Sequence, residues 1–538
     1  MTKKYLSAGL SALLLWIGWP PIPYTAPLLL VALVPLFISI EGILESDVKR
    51  KGRKIFLVAG TCFLIWNTAS IYWVFNAMNA VMPSWVAFLI SLIPFGLAAL
   101  LMTLSFRLFA GLRSITSRVF SYLGLISFWI GYEYLHQTWD LAFPWMTLGN
   151  GFANFHQLVQ WYEYTGVYGG TLWILLSNIL IFETYRIFRK EKTGRRRWFL
   201  LLRTAAHILL PIAVSLIIYS NYKEKENASN VVVVQPNVDP YEKWGKIPSE
   251  EQVKRLIRLS DSLGQPNTEY FIWPETAIPD YINEDDIRKN ANFLAVQDFL
   301  DKYRNGNVIS GIESYLLYDS AKTPTARLAE RFGKYSDYFN TAIQIENSAH
   351  VQFYHKSKLV PGVEQLPFSD ALAFMKPVFA AFGGSSGGFG SQETPTVFYS
   401  QSGIGAAPVI CYESIWGEYV ADYVEQGAQF IAIITNDGWW GNTSGKDQHL
   451  QYAKLRAIET RRWVARSANT GISAFIDQRG DVVQKTRWWE PAAIKQNINL
   501  NEELTFYVRK GDYIALAGCL GTVVFGIMLL LSVFKKKG

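Results

Sequence analysis

The sequence predicts a set of membrane-spanning helices joined to one large α/β domain, and three observations support this fold class. Half of the 538 residues are hydrophobic, only 18% are charged, and the mean hydropathy is +0.11, above the range of an ordinary soluble enzyme. The excess apolar residues are concentrated in 1–220 and 513–534. Between them, short β-branched runs alternate with amphipathic stretches. We therefore expect a seven-helix transmembrane domain over 1–220, a soluble domain over 221–512, and a C-terminal helix with a basic tail over 513–538.

Eight apolar runs predict eight spanning helices, since a helix needs roughly 20 mostly apolar residues to cross a bilayer. The first run is short and ends before Pro20-Pro21. A signal peptide, with Lys3 and Lys4 as its basic start, is the alternative there. We favour a retained helix because no small-x-small cleavage motif follows. The runs are 6–19, 25–42, 55–76, 84–111, 119–137, 167–188, 198–219 and 513–534.

The distribution of Lys and Arg predicts the orientation of these helices, because positive charges accumulate in cytoplasmic loops. Basic clusters precede the first run, follow the second, fourth and sixth runs, and follow the eighth. The alternate loops, near 20–24, 77–83 and 138–166, contain no Lys or Arg. We therefore expect both termini in the cytoplasm and residues 221–512 on the opposite side. The net charge of +7 follows this topology and does not indicate a nucleic-acid partner.

Two further segments could contact lipid. Loop 138–166 is rich in Trp, Tyr and Phe, which is typical of an interfacial aromatic belt or, alternatively, of a lipid-facing rim beside an active site. Segment 366–382 is apolar and precedes the Gly/Ser-rich stretch 383–391. It is either a core helix followed by a loop or a mobile lid that touches lipid.

The soluble part predicts a sheet that helices cover, because near-continuous apolar strands alternate with amphipathic helices. The expected strands are 230–235, 270–273, 307–311, 339–346, 350–355, 404–410, 429–435 and 472–477. The expected helices are 249–263, 285–304, 414–426 and 447–467, the last as an amphipathic surface helix.

Three residues near strand ends could carry chemistry. Cys411 follows strand 404–410, where a nucleophile and outward-pointing backbone N–H groups would be exposed; a buried structural cysteine is the alternative. Glu275 follows Trp273-Pro274, apolar company that would raise its pKa and suit a general base; otherwise it is a helix cap or loop carboxylate. Lys356 could lower a thiol pKa or stabilise an oxyanion; otherwise it is an exposed lysine.

Four motifs, taken in order, resemble the nitrilase superfamily, whose triad is Glu-Lys-Cys. They are WPETAIP, HKSKLVPGVE, PVICYES and TNDGWWG. Seven predicted spans before such a domain and one after it are similar to the bacterial apolipoprotein N-acyltransferase family, over essentially the whole chain. The resemblance implies a nitrilase-like α-β-β-α sandwich domain joined to an eight-helix transmembrane domain.

The same resemblance implies the site residues. Glu275 matches the general base and Cys411 the nucleophile. Lys356 matches the triad lysine because it lies three residues before LVP, which excludes Lys358. The residues expected to contact substrate, hold the oxyanion or support the triad are Trp244, Glu364, Tyr412 and Glu413.

The family's activity is the transfer of a fatty acyl chain from a membrane glycerophospholipid to the α-amine of a diacylglyceryl-modified apolipoprotein. The resemblance implies a thioester on Cys411, a ping-pong cycle and no cofactor. We also expect a monomer, embedded in the bacterial inner membrane, with the catalytic domain on the periplasmic side.

Two other function classes remain open from the residues alone. One is a membrane-tethered nitrilase-type amidase that acts on a small carbon–nitrogen substrate. The other is a receptor or transporter whose outer domain only binds ligand, with Glu133 as the main intramembrane charge. The three cysteines exclude a disulfide scaffold, and the scattered histidines without HExxH or CxxC predict no metal site.

Overall fold

The computed structural model describes residues 1–80, 82–191, 194–369 and 388–535. The chain forms two compact units, Met1–Tyr222 with Lys510–Gly538, and Lys223–Arg509. The predicted lid 366–382 and the Gly/Ser-rich stretch 383–391 lie mostly outside the described residues.

The first unit is helical, and each of the eight predicted apolar runs falls on a helix. In this unit, short 3₁₀ helices lie at Ala26–Leu30, Pro144–Met146 and Leu148–Leu158. The α-helices are α1 (Thr2–Ile17), α2 (Val34–Leu44), α3 (Lys51–Ile71), α4 (Trp73–Asn79), α5 (Ser84–Leu112), α6 (Arg118–Thr138), α7 (Tyr162–Lys190) and α8 (Arg195–Asn221), with Tyr513–Lys535 at the C-terminus.

Six helical segments among the described residues are long and apolar enough to cross a membrane. The predicted number of eight spans is therefore not confirmed: α1 has only 16 residues, and α6 carries Glu133 and His136 among its apolar residues. Exposed apolar side chains such as Leu202 and Leu530 agree with a membrane-embedded unit. The six segments are Ala26–Leu44, Lys51–Ile71, Ser84–Leu112, Tyr162–Lys190, Arg195–Asn221 and Tyr513–Lys535.

Much of loop 138–166 is packed inside the helical unit. Trp145 and Phe152 are fully buried, and the Trp145 ring lies 4.7 Å from that of Trp73, centroid to centroid. The loop is anchored because the Leu148 backbone N–H donates to Glu133 Oε1 at 2.7 Å. Trp145 and Phe152 are thus core residues of this unit, and the expectation of an aromatic belt or lipid-facing rim is wrong for them.

The second unit contains two β-sheets. The strands are β1 (Ala228–Gln235), β2 (Thr268–Ile272), β3 (Ile278–Asn283), β4 (Asn307–Tyr318), β5 (Arg327–Ala329), β6 (Lys334–Glu346), β7 (Val351–His355), β8 (Phe398–Tyr399), β9 (Gly405–Ile410), β10 (Phe430–Thr435), β11 (Val464–Ala468), β12 (Ala474–Ile476), β13 (Val482–Lys485) and β14 (Ala492–Asn499). The first sheet has the order β14-β1-β2-β4-β6-β5, with β3 beside β4 and β7 beside β6. The second has the order β13-β12-β11-β10-β9-β8.

Helices cover the outer faces of both sheets and complete an α-β-β-α sandwich. Helices α9 (Ser249–Leu263) and α10 (Ala291–Leu300) pack on the first sheet, and α11 (Gly417–Glu425) and α12 (Ser444–Thr460) pack on the second. The inner faces meet where the Tyr270 and Phe430 rings lie 5.0 Å apart. Because both faces of β1 are covered, its run of four valines, 231–234, is fully buried.

The predicted surface helix 447–467 is wrong in its extent and its exposure. The helix ends at Thr460, Arg461 takes a left-handed φ of 51°, and the next residues form β11. Most of its charged side chains are buried, and Arg456 Nε donates to Glu459 Oε2 at 2.7 Å. Polar positions on this helix therefore mark internal ion pairs rather than a solvated face.

Candidate active site

The second unit brings the three predicted catalytic residues together. Glu275 follows β2, Lys356 follows β7 and Cys411 follows β9. The distance from Lys356 Nζ to Glu275 Oε1 is 3.4 Å. Burial raises the pKa of the Cys411 thiol, the charge of Glu275 raises it further, and Lys356 lowers it. The sulfur therefore lies within the electrostatic reach of both residues.

Lys356 is buried between two carboxylates. It is only 1% exposed, and its Nζ donates to Glu364 Oε1 at 2.9 Å as well as to Glu275. Burial alone would lower the pKa of Lys356, but the carboxylates of Glu364 and Glu275 outweigh it and hold the pKa above its usual value. Lys356 is therefore protonated near neutral pH. Lys358 instead lies over the Tyr419 ring, 4.9 Å from its centroid.

Asn340 completes this group, and the sequence analysis missed it. Its Nδ2 donates to Glu275 Oε1 at 2.8 Å and to Glu364 Oε1 at 2.9 Å, so it holds the two carboxylates beside one lysine. Asn340 lies in the middle of β6, where a lone amide carries no motif. Glu275, Lys356, Glu364 and Asn340 are called the lysine cluster below.

Cys411 occupies a strained turn at the end of β9. Its φ is 50°, in the left-handed region that non-glycine residues rarely adopt, and a 3₁₀ turn, Cys411–Ile415, begins there. Such a turn exposes a nucleophile at the end of a strand, as the sequence predicts. The residue is only 9% exposed, so the thiol is largely buried.

Glu413 ties the cysteine turn to the lysine loop. Its Oε2 accepts from the Ile410 backbone N–H at 2.9 Å, and its Oε1 accepts from the Ser357 backbone N–H at 2.7 Å. The Tyr354 hydroxyl donates to the same Oε1 at 2.6 Å. Burial raises the pKa of Glu413. This carboxylate therefore links the segment of Cys411 to the segment of Lys356.

The two predicted aromatic residues, Tyr412 and Trp244, pack against different aromatic partners. Tyr412 is buried and packs edge-on against Trp416, with ring centroids 4.8 Å apart. Trp244 packs against Tyr281 at 5.1 Å. The preceding residue, Lys243, was not predicted: its Nζ donates to the Glu275 carbonyl oxygen at 3.3 Å and fastens the Trp244 loop beside the general-base candidate.

A second buried hydrogen-bond network contacts the backbone of the cysteine turn. The Cys411 carbonyl oxygen lies 3.2 Å from His449 Nε2, and His449 Nδ1 lies 3.0 Å from Asp437 Oδ1. Arg466 donates to Asp437 Oδ2 at 2.7 Å. Arg466, Asp437 and His449 are called the arginine cluster below. TNDGWWG contains Asp437, but its two partners are recognisable only from their contacts.

No metal centre is formed by the part of the chain that the structure describes, where no three His, Cys, Asp or Glu side chains could share an ion. The arrangement instead combines a thiol, a carboxylate and a fixed cation. Groups of these three kinds can together carry out nucleophilic acyl transfer, in which a carboxylate accepts a proton and a cation stabilises an oxyanion.

Comparison with known proteins gives two regions of similarity. Residues 11–180 match the model of the "Apolipoprotein N-acyltransferase N-terminal domain", and residues 231–503 match that of the "Carbon-nitrogen hydrolase" family. An apolipoprotein N-acyltransferase of Chlorobaculum tepidum is 30% identical and covers 100% of this chain and 98% of its own length. One of Geobacter metallireducens is 27% identical, with 99% and 96% covered. The crystal structure of Saccharomyces cerevisiae Nit3, a nitrilase-superfamily member, matches 52% of this chain and 92% of its own, at 15% identity and a TM-score of 0.36.

Proposed function

The chain belongs to the apolipoprotein N-acyltransferase family and is an acyltransferase with a carbon–nitrogen hydrolase domain, and from this premise we propose its substrates and mechanism. The donor is a membrane glycerophospholipid. The acceptor is the free α-amine of a diacylglyceryl-cysteine on an apolipoprotein, and the reaction is the last step of bacterial lipoprotein maturation. The observation that carries this proposal is Lys356 Nζ lying 3.4 Å from Glu275 in a cluster whose charges reach the Cys411 thiol.

In the first half of the cycle, Cys411 takes the acyl chain. Glu275 removes the thiol proton, which the thiol does not release unaided because burial raises its pKa. The thiolate attacks the ester carbonyl, and Lys356 with the backbone N–H near Tyr412 holds the oxyanion. The C–O bond then breaks, Glu275 returns the proton to the leaving lysophospholipid, and a thioester remains on Cys411.

In the second half, the acceptor amine attacks the thioester. Glu275 accepts a proton from the attacking nitrogen, the C–S bond breaks, and Glu275 returns that proton to the Cys411 thiolate. One acyl-enzyme intermediate links the two halves, so the kinetics are ping-pong. Water would compete with the amine, and the low exposure of Cys411 and Lys356 disfavours that hydrolysis.

The proposed membrane location and topology follow from the lipid substrates. We propose that residues 1–220 and 513–538 anchor the chain in the bacterial inner membrane through eight spans, with both termini cytoplasmic. Residues 221–512 then form a periplasmic catalytic domain, and the protein acts as a monomer. The match of residues 11–180 to the family's N-terminal domain favours this function over a membrane-tethered amidase.

The test is intact-protein mass spectrometry of the detergent-purified full chain after incubation with phospholipid. We expect a fatty-acyl mass gain on the wild type that hydroxylamine removes, and no gain on Cys411→Ala. A matched control is Cys519→Ala, which removes a thiol from the C-terminal helix and leaves the adduct in place. An adduct that persists in Cys411→Ala, or none on a folded wild type, would rule the thioester mechanism out.

A further inference from the structure

Glu313 lies beside the lysine cluster and has no part in the mechanism above. On neighbouring antiparallel strands, Glu313 of β4 stands directly opposite Asn340 of β6. Side chains of directly opposed residues point to the same face of a sheet. Because the Asn340 amide donates to Glu275, the Glu313 carboxylate faces the same space as Glu275.

Aromatic rings form one wall of this space. Tyr281 of β3 stands opposite Glu313, and burial together with the charge of Glu313 raises the pKa of the Tyr281 hydroxyl to about 12. The Tyr281 ring packs against Trp244 at 5.1 Å and lies 6.4 Å from Tyr338, centroid to centroid. Tyr281 is 60% exposed, so a ring face is open to a ligand. Open aromatic faces beside a carboxylate attract organic cations.

The charges around this space do not balance. Glu275, Glu313 and Glu364 supply three carboxylates, while Lys243 and Lys356 supply two ammonium groups, so the fully ionised group carries one negative charge in excess. Burial raises the pKa of Glu313 to about 7, even though Tyr281 and Lys243 act to lower it. Bringing one positive charge to this space would stabilise the ionised carboxylate.

A hydrogen-bond acceptor is also unused there. Asn340 Oδ1 is buried and has no hydrogen-bond partner among the described residues, although its Nδ2 has two. Because Nδ2 is committed to two carboxylates, the amide cannot be turned to exchange the two atoms. A ligand that carries one positive charge and N–H donors satisfies both this oxygen and the charge imbalance.

We propose that Glu313, with the rings of Tyr281 and Trp244, binds the primary ammonium group of a substrate. The inference rests on the proposed function, in which such a group can come from two sources. One is the α-ammonium of the apolipoprotein acceptor, which would be held close to the thioester, lose one proton to the Glu313 carboxylate, and attack as the neutral amine. The other is the ethanolamine head group of a donor phospholipid.

The experiment uses the detergent-purified full chain and separates the two sources. The protein is first loaded with phosphatidylglycerol, whose head group has no ammonium, and the rate of acyl-enzyme formation is measured. A diacylglyceryl-cysteinyl peptide is then added over a range of concentrations. We expect Glu313→Gln to raise the half-saturating peptide concentration about tenfold without changing the loading rate, and Glu313→Asp to restore most of the affinity.

A second arm compares loading by phosphatidylethanolamine with loading by phosphatidylglycerol. If the head group is the ligand, Glu313→Gln removes a preference for the ethanolamine lipid and leaves the peptide affinity unchanged, which also supports the subsite. The matched control is Glu330→Gln, which removes the same charge from an exposed turn before β6.

The proposal is overturned if Glu313→Gln changes neither the peptide affinity nor the lipid preference. It is also overturned if Glu313→Gln abolishes loading by phosphatidylglycerol, because the subsite would then act on more than an ammonium group. Failure of the wild type to load from either lipid is a separate result: it refutes the proposed function itself and the subsite with it.

Discussion

The lysine cluster and the arginine cluster both bury charge beside Cys411, and they differ in how that charge is balanced. In the arginine cluster, one guanidinium meets one carboxylate, and burial lowers the pKa of His449, so the imidazole stays neutral. All three side chains are completely buried. In the lysine cluster, two carboxylates share a single ammonium group, and Asn340 holds them together.

Because the two clusters are both buried but differ in charge balance, buried charge alone does not identify a reactive centre. A balanced and sealed group such as the arginine cluster has no proton to exchange at neutral pH and can only support the cysteine turn. A group with an excess of carboxylates over cations, such as the lysine cluster, has a carboxylate that can accept a proton and a cation that can stabilise an oxyanion. We therefore propose that the lysine cluster takes part in the reaction and that the arginine cluster only positions the cysteine turn.

The largest effect is expected from removing the cation of the lysine cluster. Lys356→Met should slow acyl-enzyme formation by about 10²–10³-fold, because the oxyanion loses its charged partner and two carboxylates are left facing each other. Single-turnover mass spectrometry with phospholipid measures this rate. Lys358→Met is the matched control: two residues away, over the Tyr419 ring, it should change the rate by less than about threefold. Equal losses in the two variants would contradict the assignment.

The residues of the two clusters were not equally predictable. Glu275, Lys356 and Glu364 of the lysine cluster lie in the family motifs WPETAIP and HKSKLVPGVE, so the resemblance identified them, as it did Cys411 and Glu413 in PVICYES. Asn340 lies in mid-strand, and His449 and Arg466 lie on a helix and a strand whose charges resemble a solvated face. Only tertiary contacts show what these three residues do. Because the sequence predicts one surface helix over 447–467, it places His449 and Arg466 among solvated residues, and the arginine cluster is not recognisable from it.

The strands also differ in how well the sequence predicts them. Apolar strands such as β1 and β10 are predicted near their observed bounds because both of their faces are buried. β14 was missed because AAIKQNIN neither alternates polar and apolar residues nor forms a continuous apolar run, although it pairs with β1 over eight positions. Helix lengths also limited the membrane prediction, since α1 and α6 are helices that lack the length or the hydropathy of the other six segments.

The next effect tests whether the arginine cluster is purely a support. Arg466→Met leaves Asp437 buried without its guanidinium, which should lower the free energy of unfolding by about 3–5 kcal/mol. Thermal unfolding of the full chain in detergent measures the loss. The matched control is Arg479→Met, whose ion pair with Asp477 is partly exposed and should contribute less than about 1 kcal/mol. The idea fails if the two variants lose the same amount of stability. It also fails if Arg466→Met keeps both its stability and the wild-type rate of thioester formation.

The smallest effect is a pH dependence that distinguishes the two groups. Arg466 holds the pKa of Asp437 well below its usual range, so the stability it provides is fully present above about pH 4 and does not vary near neutrality. Glu313 behaves oppositely: its pKa is raised from an ordinary value of 4.5 to about 7, so the folded state binds a proton that the unfolded state has lost. Stability should therefore fall as the pH rises from 5 to 7, by about 1–2 kcal/mol, and level off above 7.

Unfolding midpoints of wild type and Glu313→Gln, measured between pH 5 and pH 8, isolate this contribution. Other groups titrate in the same interval, among them Asp422, whose pKa burial raises to about 6, but they are common to both proteins and cancel in the difference. Lys243 stays largely protonated over most of the interval because burial lowers its pKa only to about 8. We expect the two midpoints to converge at low pH and the wild type to lose relative stability toward pH 7. A difference that is constant across the interval would mean that Glu313 is ionised throughout, and that its charge is already balanced without any ligand.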